Sequence, residues 1–216
     1  MTDATSSLPA APAASAMFRK AIAPLALLTV GSLVAAAMPP TEAADTSGIN
    51  TGDTAWMLTA TALVLLMTPG LSFFYGGMVR PKNVISTMLQ SFIAMSLVSL
   101  VWVVVGFSLA FGDSVGGMIG DPRTYFMLSG VGGAPHPDLS PTIPLALFAL
   151  FQLKFAIITP ALITGSFAER VRFSTYLVFI VLFTLLIYCP LVHITWHPDG
   201  LLRGWGVLDF AGGTVV

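Results

Sequence analysis

Charged residues vanish from four long stretches of the chain, and those stretches set its architecture. Residues 54–79 and 84–111 carry no charge, residues 142–168 carry Lys154 alone, and residues 173–195 carry none. A hydrocarbon core about 30 Å thick needs about 20 apolar residues of helix, and each run meets that length. Backbone amides in hydrocarbon find no water, so each run must satisfy its own hydrogen bonds and is predicted to be helical. A fifth apolar run is expected to begin near Val207. Small residues recur inside the spans, at Gly70, Gly76, Gly77, Gly106 and Gly165, where they let helices approach closely. Pro69 and Pro160 each remove a backbone donor and are expected to kink their helices.

Loop charges orient these spans. Arg80 and Lys82 follow the first run, and Arg170 and Arg172 follow the third, both in short loops. The positive-inside rule puts both on the cytoplasmic side. The longer segments between the other runs carry Asp113, Asp121, Arg123, Asp138, Asp199 and Arg203, a mix suited to the outer face. The 112–141 segment, rich in Gly, Pro and Asp, is predicted to be a loop rather than a domain. Composition agrees: 56 % of the 216 residues are hydrophobic and 9 % charged, against roughly 25 % charged in soluble domains. The net charge of -1 offers no basic footprint for nucleic acid.

Residues 1–44 have the three parts of a secretory signal peptide. Arg19 and Lys20 form the positive flank, residues 21–38 the apolar core, and the small-residue end closes at Ala43. An uncleaved first span is the alternative; either way the mature chain, 45–216, starts on the outer face.

Few side chains suggest chemistry. Lys154 lies about 18 Å into its span, counting about 1.5 Å per residue. It is either a pathway residue or a lysine paired to carbonyls and reaching toward an interface. His193, near the end of the fourth run, is expected to be a hydrogen-bonded structural histidine. His136 and His197 are expected to be solvated in outer loops. Their spacing makes no metal site, and Cys189 stands alone inside an apolar run. No catalytic motif is present and no cofactor is implied, so an enzyme has no sequence support. Phe151 and Phe155, four apart, share a helix face; by spacing alone, packing explains them.

Three stretches shift that balance. They are Phe74-Tyr75-Gly76-Gly77-Met78-Val79-Arg80-Pro81-Lys82-Asn83; Phe151-Gln152-Leu153-Lys154-Phe155 leading to Gly165-Ser166-Phe167-Ala168-Glu169-Arg170; and His193-Ile194-Thr195-Trp196 followed by Leu208-Asp209-Phe210-Ala211-Gly212-Gly213-Thr214. In order and spacing they resemble the ammonium transporter (Amt/Mep/Rh) family, bacterial type, from about Asp53 onward. The resemblance implies an all-α, polytopic transmembrane helix bundle: the first half of an eleven-span fold whose two five-helix halves have inverted topology. It implies a multi-pass protein of the bacterial cytoplasmic membrane, a homotrimer with one pore per subunit, set in a lipid bilayer. Its substrate would be ammonium or its analogue methylammonium, and a cytosolic signal-transduction protein is a possible regulator.

By the same resemblance, Trp196 matches the outer-vestibule tryptophan that faces ammonium, and Phe151 an aromatic beside it. Phe155 matches one of two phenylalanines closing the outer mouth, and Asp209 a buried aspartate that favours recruitment of the cation. Lys154 departs from the small neutral residue of many bacterial members. The first pore histidine is expected directly after Val216, so residues 1–216 are expected to hold half a pore wall and not to transport alone. Two alternatives remain open at this point: an ammonium-sensing membrane module of a signalling protein, and an unrelated multi-span transporter.

Overall fold

The computed structural model describes residues 45–216; the signal-peptide expectation lies outside them. Helix α1 (Thr51–Gly76) starts where the Asn50 side chain accepts hydrogen bonds from the Gly52 and Asp53 amides. These are two of the donors that every helix start leaves without partners. Pro69 sits inside α1 without interrupting it, as Pro160 sits inside α4. The second span joins α2 (Val84–Val101), a π-helical turn at Trp102–Gly106, and α3 (Phe107–Phe111). The third joins α4 (Leu145–Leu162) and the short α5 (Thr164–Phe167). The fourth joins α6 (Phe173–Phe183), a second π turn at Thr184–Tyr188, and α7 (Cys189–Trp196). A single turn, α8 (Leu201–Gly204), follows. Four helical stretches are thus long and apolar enough to cross a membrane, matching the four predicted runs.

The two π turns lie side by side. The Trp102 and Tyr188 rings are 6.5 Å apart, and the Cys189 thiol is 3.5 Å from the Gly106 carbonyl. Pro190 explains the second turn: it has no N–H for the carbonyl four residues earlier, so the ladder shifts register. Around this junction pack Val98, Phe107, Phe111, Leu153 and Ile157, all nearly inaccessible. Lipid is as apolar as these side chains, so close packing and interhelical hydrogen bonds hold the bundle rather than water exclusion. The buried Trp102 indole N–H, donated to the Ala149 carbonyl at 3.2 Å, is one such bond between spans. Bonds of this kind contribute about 0.6 kcal/mol on average.

The loops confirm their pairing by side. At one end, Glu169 joins the two short basic loops. Its carboxylate accepts from the Arg80 amide (2.9 Å), the Arg80 guanidinium Nε (3.1 Å) and the Asn83 amide nitrogen (2.7 Å). At the other end, segment 112–141 forms two small antiparallel ribbons, β1 (Ser114–Val115) with β2 (Ile119–Gly120) and β3 (Pro135–His136) with β4 (Ser140–Pro144). It is a folded loop, as its composition suggests. Gly117 there accepts from the Leu201 amide, tying it to the segment after α7.

The Glu169 clamp carries a pH signature. The Asn83 side chain and the Arg80 amide hold its carboxyl below the usual value. A carboxyl with a depressed folded-state pKa stabilises the fold above its unfolded pKa and loses that contribution as pH falls through the folded one. The thermal midpoint of Glu169→Gln should therefore lie below that of the parent at neutral pH. The gap should close on acidification beneath the ordinary carboxylate range; a gap that persists there would remove the clamp from the account.

Residues 207–216, where a fifth span is expected to begin, are irregular here, with Gly212 at φ +79. One helix-type bond, from the Val216 amide to the Gly212 carbonyl at 3.0 Å, is all it makes of that kind. A first helical turn orders three residues for a single bond, so one bond does not propagate a helix.

Candidate functional site

The end of α7 aims Trp196 toward α4. Phe151 and Phe155, one turn apart on α4, meet edge to face at 5.1 Å between ring centroids. Phe155 then meets Trp196 edge to face at 6.2 Å. Edge-to-face pairs suit the negative faces and positive edges of aromatic rings. The indole N–H of Trp196 donates to Asp209 Oδ2 at 2.8 Å, and Asp209 Oδ1 accepts from the Thr214 amide at 3.3 Å. The four side chains singled out by resemblance therefore line one cleft of about 440 Å³, together with Gln152, Phe210, Ala211 and Gly212. Asp209 is half-buried here rather than fully enclosed. Partial burial raises its carboxyl pKa, but the bonds from Trp196 and Thr214 outweigh that and hold it below the usual value. It is an anion at neutral pH, beside two aromatic rings.

Gln152, between the two phenylalanines, is a residue that spacing did not single out. It lines the same cleft, and its Oε1 is buried with no hydrogen-bond partner. Lys154 on the same helix is half-buried and makes no ion pair among the described residues.

The histidines divide. His193 is fully buried, as expected of a structural histidine, with Nδ1 3.0 Å from the Ala110 carbonyl and Nε2 2.9 Å from the Ser114 hydroxyl. His197 corrects the expectation of solvation: it is only 7 % exposed and stacks on His193 at 4.4 Å. It directly follows the last turn of α7, against which the 112–141 loop packs through Ser114. Among the described residues no group of three or more His, Cys, Asp or Glu could hold a metal ion.

Four apolar spans with polar loops at each end define a multi-pass helical membrane protein, with an aromatic cleft holding one carboxylate at one end. The sequence profile of the Ammonium Transporter Family matches residues 55–216, and the chain belongs to that family. It is 49 % identical over 167 residues to the ammonium transporter of Bacillus subtilis (strain 168), covering 76 % of this chain and 40 % of that protein. The crystal structure of Saccharomyces cerevisiae Mep2 superimposes with a TM-score of 0.72 at 34 % identity, over 79 % of this chain and 37 % of that one. A structure described as a sensor Amt protein aligns with a TM-score of 0.67 at 33 % identity, over 75 % of this chain and 40 % of that one. The chain thus spans about two fifths of the length of the relatives it matches. Family membership overturns the alternative of an unrelated transporter.

Proposed function

We propose that the protein built on this chain carries ammonium, or methylammonium, across the bacterial cytoplasmic membrane, and that Phe151, Phe155, Trp196 and Asp209 form its outer recruitment site. The observation that supports this best is the Trp196–Asp209 hydrogen bond of 2.8 Å beneath the edge-to-face Phe155 ring. It fixes the indole plane, so a cation entering the cleft meets a preoriented aromatic face and a carboxylate together. A cation over an aromatic face gains about 2 kcal/mol when desolvated. Asp209 stabilises the charged form of the guest. Behind the rings, a hydrated ion loses water that Phe151 and Phe155 cannot replace, so passage favours neutral ammonia, and the proton must leave near the mouth. The role is transport without covalent chemistry. The family resemblance adds a homotrimer and a cytosolic signal-transduction regulator to the proposal, and the residue pattern of 1–44 and the loop charges add an outward mature N-terminus after signal removal. Curated relatives that are named transporters favour conduction over the sensing alternative.

The test is methylammonium uptake by the full-length protein in cells lacking their own ammonium transporters. Trp196→Leu should raise the half-saturating concentration about tenfold or more, the equivalent of losing most of a desolvated cation–π contact. Unchanged saturation would remove Trp196 from the recruitment site.

A further inference from the structure

A second cavity opens at the same end of the bundle, on the other side of α7. It measures about 630 Å³, and its wall includes Asp113, Asp138, Asp199, His136, His197 and Tyr125, none of which lines the Trp196 cleft. Adjacent residues divide the two: Trp196 faces one and His197 the other. No lysine or arginine lines the cavity, and Arg123, in the same loop, is held by Asp121 at 2.8 Å. The Asp138 and Asp199 carboxylates accept no hydrogen bond among the described residues, while Asp113 accepts one from the Thr124 hydroxyl. A concave wall of one charge sign concentrates counter-ions.

The histidines say what kind of cation fits. His136 Nδ1 accepts from the Asp138 and Leu139 amides at 3.3 and 3.2 Å. His197 Nδ1 accepts from the Asp199 amide at 3.1 Å. With Nδ1 used as an acceptor, each neutral ring carries its proton on Nε2 and offers a donor there, with no lone pair for a metal. His197 is more than nine-tenths buried as a residue, and its Nε2, which makes no hydrogen bond among the described residues, is left accessible at the cavity wall. An isolated metal ion would leave these donors unmatched, and the carboxylates are too dispersed to grip one ion. The complement is a larger guest with a positive nitrogen at one end and an oxygen acceptor at the other.

From this we infer that the cavity is a binding site, separate from the Trp196 cleft, for a small amine bearing an oxygen acceptor. Its ammonium group sits between the rim carboxylates of Asp138 and Asp199, and its oxygen accepts from Nε2–H of His197 or His136. Tyr125 supplies an aromatic wall.

Isothermal titration of the purified full-length protein in nanodiscs, with ethanolamine as the probe, tests this. Saturable binding is expected. It should weaken about tenfold in Asp138→Asn and in Asp199→Asn, the scale of one hydrogen bond to a charged group. Both side chains are exposed at the rim, so these variants should fold. Ethylamine, lacking the hydroxyl, should bind about tenfold more weakly than ethanolamine for the same reason. Trp196→Leu should leave ethanolamine binding unchanged, which separates this site from the recruitment site. Absence of saturable binding, loss of it in Trp196→Leu but not in Asp138→Asn, or calcium binding at these aspartates that ethanolamine does not displace would each overturn the assignment.

Discussion

Asp209→Ala should lower methylammonium uptake by the full-length protein about a hundredfold, the largest functional loss of any single change in the cleft. Two effects combine. The Trp196 indole loses its acceptor at 2.8 Å, and a hydrogen bond to a charged group is worth about 1.5–3 kcal/mol. The cleft also loses the carboxylate we propose to favour the cation. Each loss of about 1.4 kcal/mol is a factor of ten. Asp209→Asn separates the two contributions: its carbonyl oxygen can still accept from the indole, so the ring stays oriented while the charge goes. Uptake of the asparagine variant should fall between the parent and the alanine variant. An asparagine variant as poor as the alanine one would assign the whole effect to charge; two fully active variants would take Asp209 out of the proposed mechanism.

Gly200→Ala should destabilise the end of the bundle that carries the cleft by about 3 kcal/mol, the upper part of the usual overpacking range. A Cβ at position 200 would lie 2.2 Å from the His193 carbonyl oxygen and 2.6 Å from that of Ile194. Both are backbone atoms of α7, which cannot swing aside as a flexible side chain would. The glycine lets the chain fold back over the end of the helix, and that return sets His197 and the segment leading to Asp209. Thermal unfolding in detergent should show the loss. Gly204→Ala is the control, because a Cβ there meets nothing within 4 Å, and its midpoint should barely move. Equal midpoints for the two variants would mean that the return over α7 is looser than the structure shows.

The candidate site divides along the same line as the fold. Phe151 and Phe155 share a face by spacing alone, since residues four apart on a helix must. Trp196 and Asp209 are thirteen positions apart on no common element, and their hydrogen bond is invisible to periodicity; only the family resemblance pointed to both. Gln152 carried no signal of its own beyond its place in a resembling stretch, because a polar residue between two aromatics looks like any helix residue until its neighbours are known.

By itself the amino-acid sequence determined the number and approximate bounds of the spans, and it assigned the two basic loops to one side. The reason is local: in hydrocarbon a backbone has no partner but itself, so an uncharged run of sufficient length must become a helix, and arginines mark the loop between two of them. Tertiary structure decided what depends on distant segments meeting. The loop of Ser114 folds over the end of α7, so His197 is buried against expectation. Glu169 reaches back to Arg80, a contact across 89 positions. The two π turns pack Trp102 against Tyr188. Phe155, Trp196 and Asp209 converge on one cleft. Hydropathy records how much each residue avoids water, and it contains nothing about which other residue a side chain will touch.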